Sequence, residues 1–403
     1  MSTTAILHVG TPKTGSSTIQ RNLFNWRETL MENGILIPEI SGRMINQEEI
    51  LEIFSGKSDG GNAEKLLSKI YNDVQKLCPK YVIFSSEYLF SQSFCAESAK
   101  QVLSDLFDDI RVVVYLRDPA GYYLSFNQQK LKATDIIDNP KVWRANYRNR
   151  ISPWKSEYGN KLDIVPFQAS SFPSGLTEDF LSRFAEYKGG NPNPGLSKHF
   201  NVSDTGEVTY LMQKYFRYCH PREARSVRKL ADFVRRDLNK TSKSENLGRK
   251  AVLLPEVQRL ILWNSREDLV WLKETEGIEF DAIDYEGLRD LRIESFSSNF
   301  DDFNDIVDVS IEHSNEILMK SVQGLAERAS QLTSVRAELE KARSDLADAL
   351  SDINARRSKI AGKIDRFDYE IRYFLANVPF LSERFRSGMR AAADKRRRQC
   401  YGK

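Results

Sequence analysis

Cysteine and histidine are scarce, with four of each in 403 residues. Cys78, Cys95, Cys219 and Cys400 show no paired spacing, so a disulfide framework is not expected and a reducing compartment fits. His8, His199, His220 and His313 form no ligand motif, so no metal site is expected either. No run of 18 apolar residues occurs, which argues against a membrane-spanning helix. The first residues enter a strand-like run without a basic n-region and apolar h-region, and the sequence therefore predicts a cytoplasmic protein. Net charge is only +3, but that small value hides an asymmetry: from Arg356 to Lys403 there are 14 Lys/Arg against 5 Asp/Glu, a balance of +9 that leaves −6 for the rest.

What is present begins at Ala5. The stretch Ala5-Ile6-Leu7-His8-Val9-Gly10-Thr11-Pro12-Lys13-Thr14-Gly15-Ser16-Ser17-Thr18 reads as a short buried strand, a glycine-bounded loop and the first turn of a helix. Amide groups in such a loop and at a helix N-terminus lack intrachain partners, so an anionic phosphate satisfies them and meets the positive end of the helix dipole. Lys13 adds a full charge, and Ser16, Ser17 and Thr18 add hydroxyls. Gly10 and Gly15 have the spacing of the outer glycines of a Walker A loop, but the lysine lies inside the loop and Ser16 stands where Walker A places it.

Two further strands end in polar chemistry. Tyr81-Val82-Ile83-Phe84 runs into Ser85-Ser86-Glu87, and Arg111-Val112-Val113-Val114-Tyr115-Leu116 runs into Arg117-Asp118-Pro119. In an open parallel sheet, ligands lie beyond the carboxyl ends of the strands, which aims Glu87 and Arg117 at whatever the first loop holds. Glu87 is the candidate base, although a cap for the following helix is the other reading of Ser-Ser-Glu. Glu39, a second strand-end carboxylate after Ile35-Leu36-Ile37, and His8, inside the first strand, are the rival groups. Arg117 has a planar fork suited to a phosphate, and an ion pair with Asp118 is its structural alternative.

Pro12-Lys13-Thr14-Gly15-Ser16-Ser17, together with Arg117 and Ser125 eight residues on, resembles the sulfotransferases that use 3′-phosphoadenosine 5′-phosphosulfate (PAPS), above all their bacterial, carbohydrate-type branch. The resemblance spans roughly residues 4–280 and is carried by these short motifs. It implies a loop that binds the 5′-phosphosulfate, a 3′-phosphate site made of Arg117 and Ser125, and a Ser-Ser-Glu strand end where cytosolic members place a catalytic histidine. It also implies Glu39 as the rival base. The implied donor-binding set is Lys13, Thr14, Gly15, Ser16, Ser17, Thr18, Arg117 and Ser125, with Lys13 and Glu87 as catalytic residues and no metal. The implied reaction moves a sulfonyl group from PAPS to a hydroxyl, with a carbohydrate or glycolipid as the expected acceptor. Two alternatives stay open: a P-loop kinase needing Mg²⁺ and ATP, and a non-catalytic scaffold with a vestigial nucleotide site. Against the kinase, a Walker B strand ends in Asp, and this one ends in Arg.

Residues 1–305 are expected to form one α/β domain, a three-layer P-loop-like unit with a central, mostly parallel sheet. Within it, Thr18 to Glu32 reads as one helix, Gly42 to Gly61 as a polar surface excursion, and about 205–250 as a charged helical cap. Arg225, Arg228 and Lys229 would give that cap a basic face. Trp154 has two readings, a core residue or an adenine platform. Asn201-Val202-Ser203 is not expected to be a glycosylation site.

Residues 315–361 are expected to form a coiled-coil helix. Leu318, Leu325, Leu332, Leu339, Leu346, Ile353 and Ile360 recur every seven residues, whereas the second edge mixes Val322, Ala329 and Leu350 with Arg336, Arg343 and Arg357. A long homodimeric zipper would bury those like charges unless the arginines snorkel or find acidic partners. Self-association or docking on a partner follows. Residues 362–403 form a basic amphipathic tail ending in Lys395-Arg396-Arg397-Arg398, suited to an anionic surface and a membrane-peripheral location, with nucleic acid a distant option.

Overall fold

The computed structural model describes residues 2–39, 48–55, 62–92, 94–184, 203–219, 228–291, 299–377 and 383–401. The chain divides into two compact units, Met1–Ser321 and Val322–Lys403.

The first unit opens with β1 (Thr4–His8), α1 (Ser16–Asn25), α2 (Arg27–Glu32) and β2 (Ile35–Leu36). Ile19, Leu23, Trp26 and Leu30 keep helical spacing and share one buried cluster. The helix nevertheless breaks at Trp26, whose φ of −98° and ψ of 4° end α1 and start α2, so the single expected helix is two. Next come α3 (Glu48–Ser55), α4 (Asn62–Leu77), β3 (Tyr81–Ser85) and α5 (Cys95–Ser104). Helix α3 corrects the expectation of a polar excursion from Gly42 to Gly61: Ile50, Ile53 and Phe54 fall at i, i+3 and i+4 and are buried. Residues 42–47 and 56–61 lie outside the described residues.

The unit continues with β4 (Asp109–Leu116), α6 (Pro119–Lys130), α7 (Tyr147–Tyr158), β5 (Leu162–Pro166), α8 (Leu176–Ser182), α9 (Gly206–Cys219) and α10 (Arg228–Ser244). It closes with α11 (Pro255–Asn264), α12 (Arg266–Glu276), α13 (Tyr285–Asp290) and the first turns of α14 (Ile311–Ala376). Arg225, Asn201 and Val202, named above, lie outside the described residues.

The five strands pair in the order β2-β3-β1-β4-β5, all parallel, with Ile6 opposite Ile83 on one side and Arg111 on the other. Side chains alternate between faces along a strand. Ala5, Leu7, Val82, Phe84, Val112 and Val114 accordingly join the cluster with α3, α4, α5, α7 and α12, while Ile6, Ile83, Val113 and Tyr115 join the one with α1, α2 and α8. Both faces are covered, which explains the near-continuous apolar runs of β3 and β4. The result is the three-layer α/β arrangement expected from the sequence. Trp154 takes its core reading, 1% exposed and stacked on Tyr158.

Strand order also positions the site. The chain leaves β1 to build β2 and β3 on one side, then crosses to build β4 and β5 on the other. The carboxyl ends of β3, β1 and β4 thus stand side by side at the point where the winding reverses, the place where such sheets open a crevice.

In the second unit, α14 runs on to Ala376 and α15 (Glu383–Tyr401) packs back against its last turns. Arg396 bridges Asp365 and Asp368 at 2.7 and 3.3 Å, and Ala376 and Ala393 are buried.

Candidate active site

The loop after β1 is built for close approach. Gly10 has φ +100°, and a Cβ there would lie 3.1 Å from the Glu87 Cα, so only glycine lets this loop touch the end of β3. Gly15, at φ +79°, caps α1 with no side-chain hydrogen bond, and a Cβ would fall 2.4 Å from Leu176 Cδ2. Lys13 also takes a left-handed conformation, φ +71°, which costs a non-glycine residue about 1–2 kcal/mol. The Thr14 hydroxyl donates to the Thr11 carbonyl at 2.6 Å and Ser16 Oγ to the same oxygen at 3.3 Å. Those hydroxyls tie the loop together, and the Thr11 amide donates to the Tyr115 carbonyl at 2.9 Å, which anchors the loop to β4. Ser17 and Thr18 are half-buried on the first turn of α1.

The turn also exposes Lys13 in two directions. Its carbonyl accepts from Arg117 Nη1 at 3.2 Å, and its Nζ donates to Gln129 Oε1 at 3.1 Å. Burial, then repulsion from Lys132, pushes the ammonium down to about 8; Glu87 pulls it back up and Arg117 adds to the depression.

Glu87 sits where β3 gives way to a short 3₁₀ turn, Leu89–Ser91, which has Tyr88 at its N-cap and no side-chain cap. The capping alternative is therefore not what the structure uses. Ser86 N donates to the His8 carbonyl at 2.9 Å, fixing the strand end beside β1. Burial raises the Glu87 carboxyl above its ordinary value, while the Lys13 charge and the Ser16 hydroxyl oppose that rise. A half-buried carboxyl held above its usual range beside a depressed lysine is the pattern of a tuned acid–base site.

The rival bases are placed differently. His8 is fully buried within β1, with Nδ1 2.7 Å from Ser85 Oγ, and burial pushes it down to about 3. Its Nε2 is buried without a hydrogen-bond partner. Glu39 lies past the end of β2, two strands from β1 and so about 10 Å across the sheet. Its carbonyl accepts from Lys69 Nζ at 2.6 Å.

Arg117 follows β4, and Asp118 caps α6 by accepting from Gly121 N at 2.7 Å. That carboxylate is used as a cap and forms no ion pair with Arg117. A Cβ on Gly121 would sit 2.9 Å from Arg117 Nε and 2.5 Å from Asp118 Oδ2, so glycine makes room for the guanidinium against the helix. The Tyr147 hydroxyl donates to the Arg117 carbonyl, and the guanidinium lies 6.0 Å over the Phe167 ring. Burial holds Arg117 below its ordinary value, and the Asp118 charge works against that. Gly121, Ser125 and Gln129 recur every four residues and share a face of α6, so half-buried Ser125 lies about 6 Å along the helix from the residue that holds Lys13.

From the sequence, Gln128, Gln129 and Lys130 are candidates to reach the donor or acceptor, but Gln129 as the partner of Lys13, Lys132 as its repulsive neighbour and Tyr147 as the brace of Arg117 come only from the structure. The i, i+4 step from Ser125 to Gln129 was the one available signal. In the cap, Arg228 and Lys229 are exposed at the start of α10; Arg235 and Asn239 are the residues that turn inward, at 3.1 and 2.9 Å from Asp204 Oδ1. Gln128 Nε2 donates to the Asp204 carbonyl at 3.0 Å, which ties α6 to the start of the cap.

Among the described residues, no group of three or more His, Cys, Asp and Glu is placed to hold a metal ion, and no helix is long and apolar enough to cross a membrane. No family model matches the sequence. No curated protein matches it. Among solved structures, the sulfotransferase domain of the olefin synthase from Synechococcus PCC 7002 is similar to this chain: 14% identity, a TM-score of 0.28, and coverage of 58% of this chain and 94% of that domain.

Proposed function

We propose that the chain is a sulfotransferase that moves a sulfonyl group from PAPS to a hydroxyl acceptor, with a carbohydrate or glycolipid as the acceptor class. The observation that supports this most is the meeting of a depressed lysine, a raised carboxyl and a half-buried arginine around one glycine-bounded loop. The loop amides and Lys13 receive the phosphosulfate, and Arg117 with Ser125 receives the 3′-phosphate. The acceptor oxygen attacks sulfur, the bond from sulfur to the phosphate oxygen breaks, and adenosine 3′,5′-bisphosphate departs. Charge builds on the bridging oxygen as it leaves, where preorganised donors and the ammonium stabilise it. The acceptor proton passes to Glu87, whose raised position brings it closer to the working pH of a general base.

The test is calorimetric titration of adenosine 3′,5′-bisphosphate into the wild-type protein without metal, with ATP and Mg²⁺ as the competing ligand. Lys13→Ala and Arg117→Ala should each weaken bisphosphate binding by about 10–100-fold, the range of a lost charge-assisted bond. Glu87→Gln should leave it unchanged or tighter, because the carboxylate repels the ligand. Binding of ATP with Mg²⁺ but not of the bisphosphate would overturn the proposal in favour of a kinase, and binding of neither would favour the scaffold.

A further inference from the structure

The heptad seam of α14 is uncovered in the second unit. Leu339, Leu346, Ile353 and Ile360 are 66, 63, 61 and 58% exposed, although aliphatic side chains at this spacing normally face a partner helix. Helix α15 does not cover them. It is held by Asp365 and Asp368, which lie on a neighbouring face, and Ile364 and Phe367 on the seam remain 62 and 64% exposed beside it.

We infer that the occupant of this seam is a second copy of the same chain, paired antiparallel over residues 332–371. In a parallel pair, each seam position faces its own copy, so Arg336, Arg343 and Arg357 would form three layers of like charge. An antiparallel pair sets each position against the complementary one. With Leu332 opposite Ile371, Arg336 meets Phe367, Arg343 meets Ile360 and Arg357 meets Leu346. Each arginine then lays its stem on an apolar side chain with its head at the rim, and the first of these contacts is a cation–π pair.

The flanking charge agrees. Residues 338–348 carry Glu338, Glu340, Asp345 and Asp348 against Lys341 and Arg343, a balance of −2. Residues 355–365 carry Arg356, Arg357, Lys359 and Lys363 against Asp365, a balance of +3. The antiparallel register lays these segments on each other twice, whereas a parallel one sets −2 on −2 and +3 on +3. The contact is also large enough. Forty residues make about 60 Å of helix, and a stripe one helix wide along it removes about 1,300 Å² from the two chains together, within the range of specific interfaces.

Two measurements on the full chain test this. Light scattering at tens of micromolar should give twice the 46.3 kDa of one chain, and Leu339→Asp combined with Leu346→Asp should return it to one chain without loss of helical ellipticity. A spin label on Ser334→Cys, with Cys78, Cys219 and Cys400 replaced by serine, reads the orientation. Ser334 would lie opposite residue 369, so the two labels should be about 50 Å apart. A monomeric wild type, a double variant that stays dimeric, or labels within about 20 Å of each other would each overturn the inference.

Discussion

Under the proposed function Lys13 binds its anion only as an ammonium, and the structure pushes that ammonium down to about 8. The free protein is therefore about 90% protonated at pH 7 and about 10% at pH 9, and above pH 8 binding must draw a proton from solvent. A bound phosphate group favours the charged form and pulls the lysine back towards its ordinary range. With a bound value of about 10, the dissociation constant of adenosine 3′,5′-bisphosphate weakens about 10-fold between pH 7 and pH 9, or about 1.4 kcal/mol. The ligand's own phosphates, with second ionisations near pH 6, are already about 90% charged at pH 7 and add only a small slope of opposite sign, well under 2-fold. Calorimetry in two buffers of different ionisation enthalpy would detect the uptake directly, approaching one proton per ligand at pH 9. Lys13→Arg keeps its charge throughout and should bind with no slope from pH 7 to 9. A wild-type constant that moves less than 2-fold, or an arginine variant with the same slope, would refute the assignment of Lys13 to the anion.

The other predictions separate stability from binding. Lys13→Gly removes a left-handed side chain and a partly desolvated charge, so the melting temperature at pH 7 should rise by a few degrees, the equivalent of about 1 kcal/mol, while bisphosphate binding is lost. The lowered lysine sets the sign: the fold disfavours the charged form, so the gain is full below about pH 8, where the folded lysine is still protonated, and fades between there and the unfolded value near 10.5. Gly121→Ala gains about 1 kcal/mol of helix propensity but displaces the Asp118 cap and Arg117 Nε, so its melting temperature should stay close to wild type while bisphosphate affinity falls. Chemical denaturation and calorimetry on the same samples check both variants.

Local pattern made much of this legible in the sequence. The apolar β-branched runs of β3 and β4, and the glycines around Lys13, specify buried strands and a tight loop without reference to the rest of the chain. Asp118-Pro119 likewise marks the start of α6 by capping chemistry alone. What the sequence did not show depends on long-range placement. Gln129 reaches Lys13 across 116 positions, and the Tyr147 hydroxyl reaches the Arg117 carbonyl because α7 packs on the sheet, which no spacing encodes. In the same way, Arg235 and Asn239 look no different from Arg228 and Lys229 in a charged helix until Asp204 selects the face that turns inward. The polar composition around α3 hid a helix because three apolar residues were enough to anchor it.

Sheet order has a consequence for how the protein is made. Thr4 pairs with Asp109, 105 positions away, and no two neighbouring strands are joined by a hairpin. Pairings of this reach carry the loop-closure entropy of the intervening chain and form slowly compared with local contacts. Glu87 and Arg117 meet the glycine loop only once β3 and β4 have closed on β1. A nascent chain that has not yet emerged past residue 117 holds the whole glycine-bounded loop without the strand ends that flank it, so under the proposed function bisphosphate binding during synthesis or refolding would report completion of the sheet and not the presence of the motif.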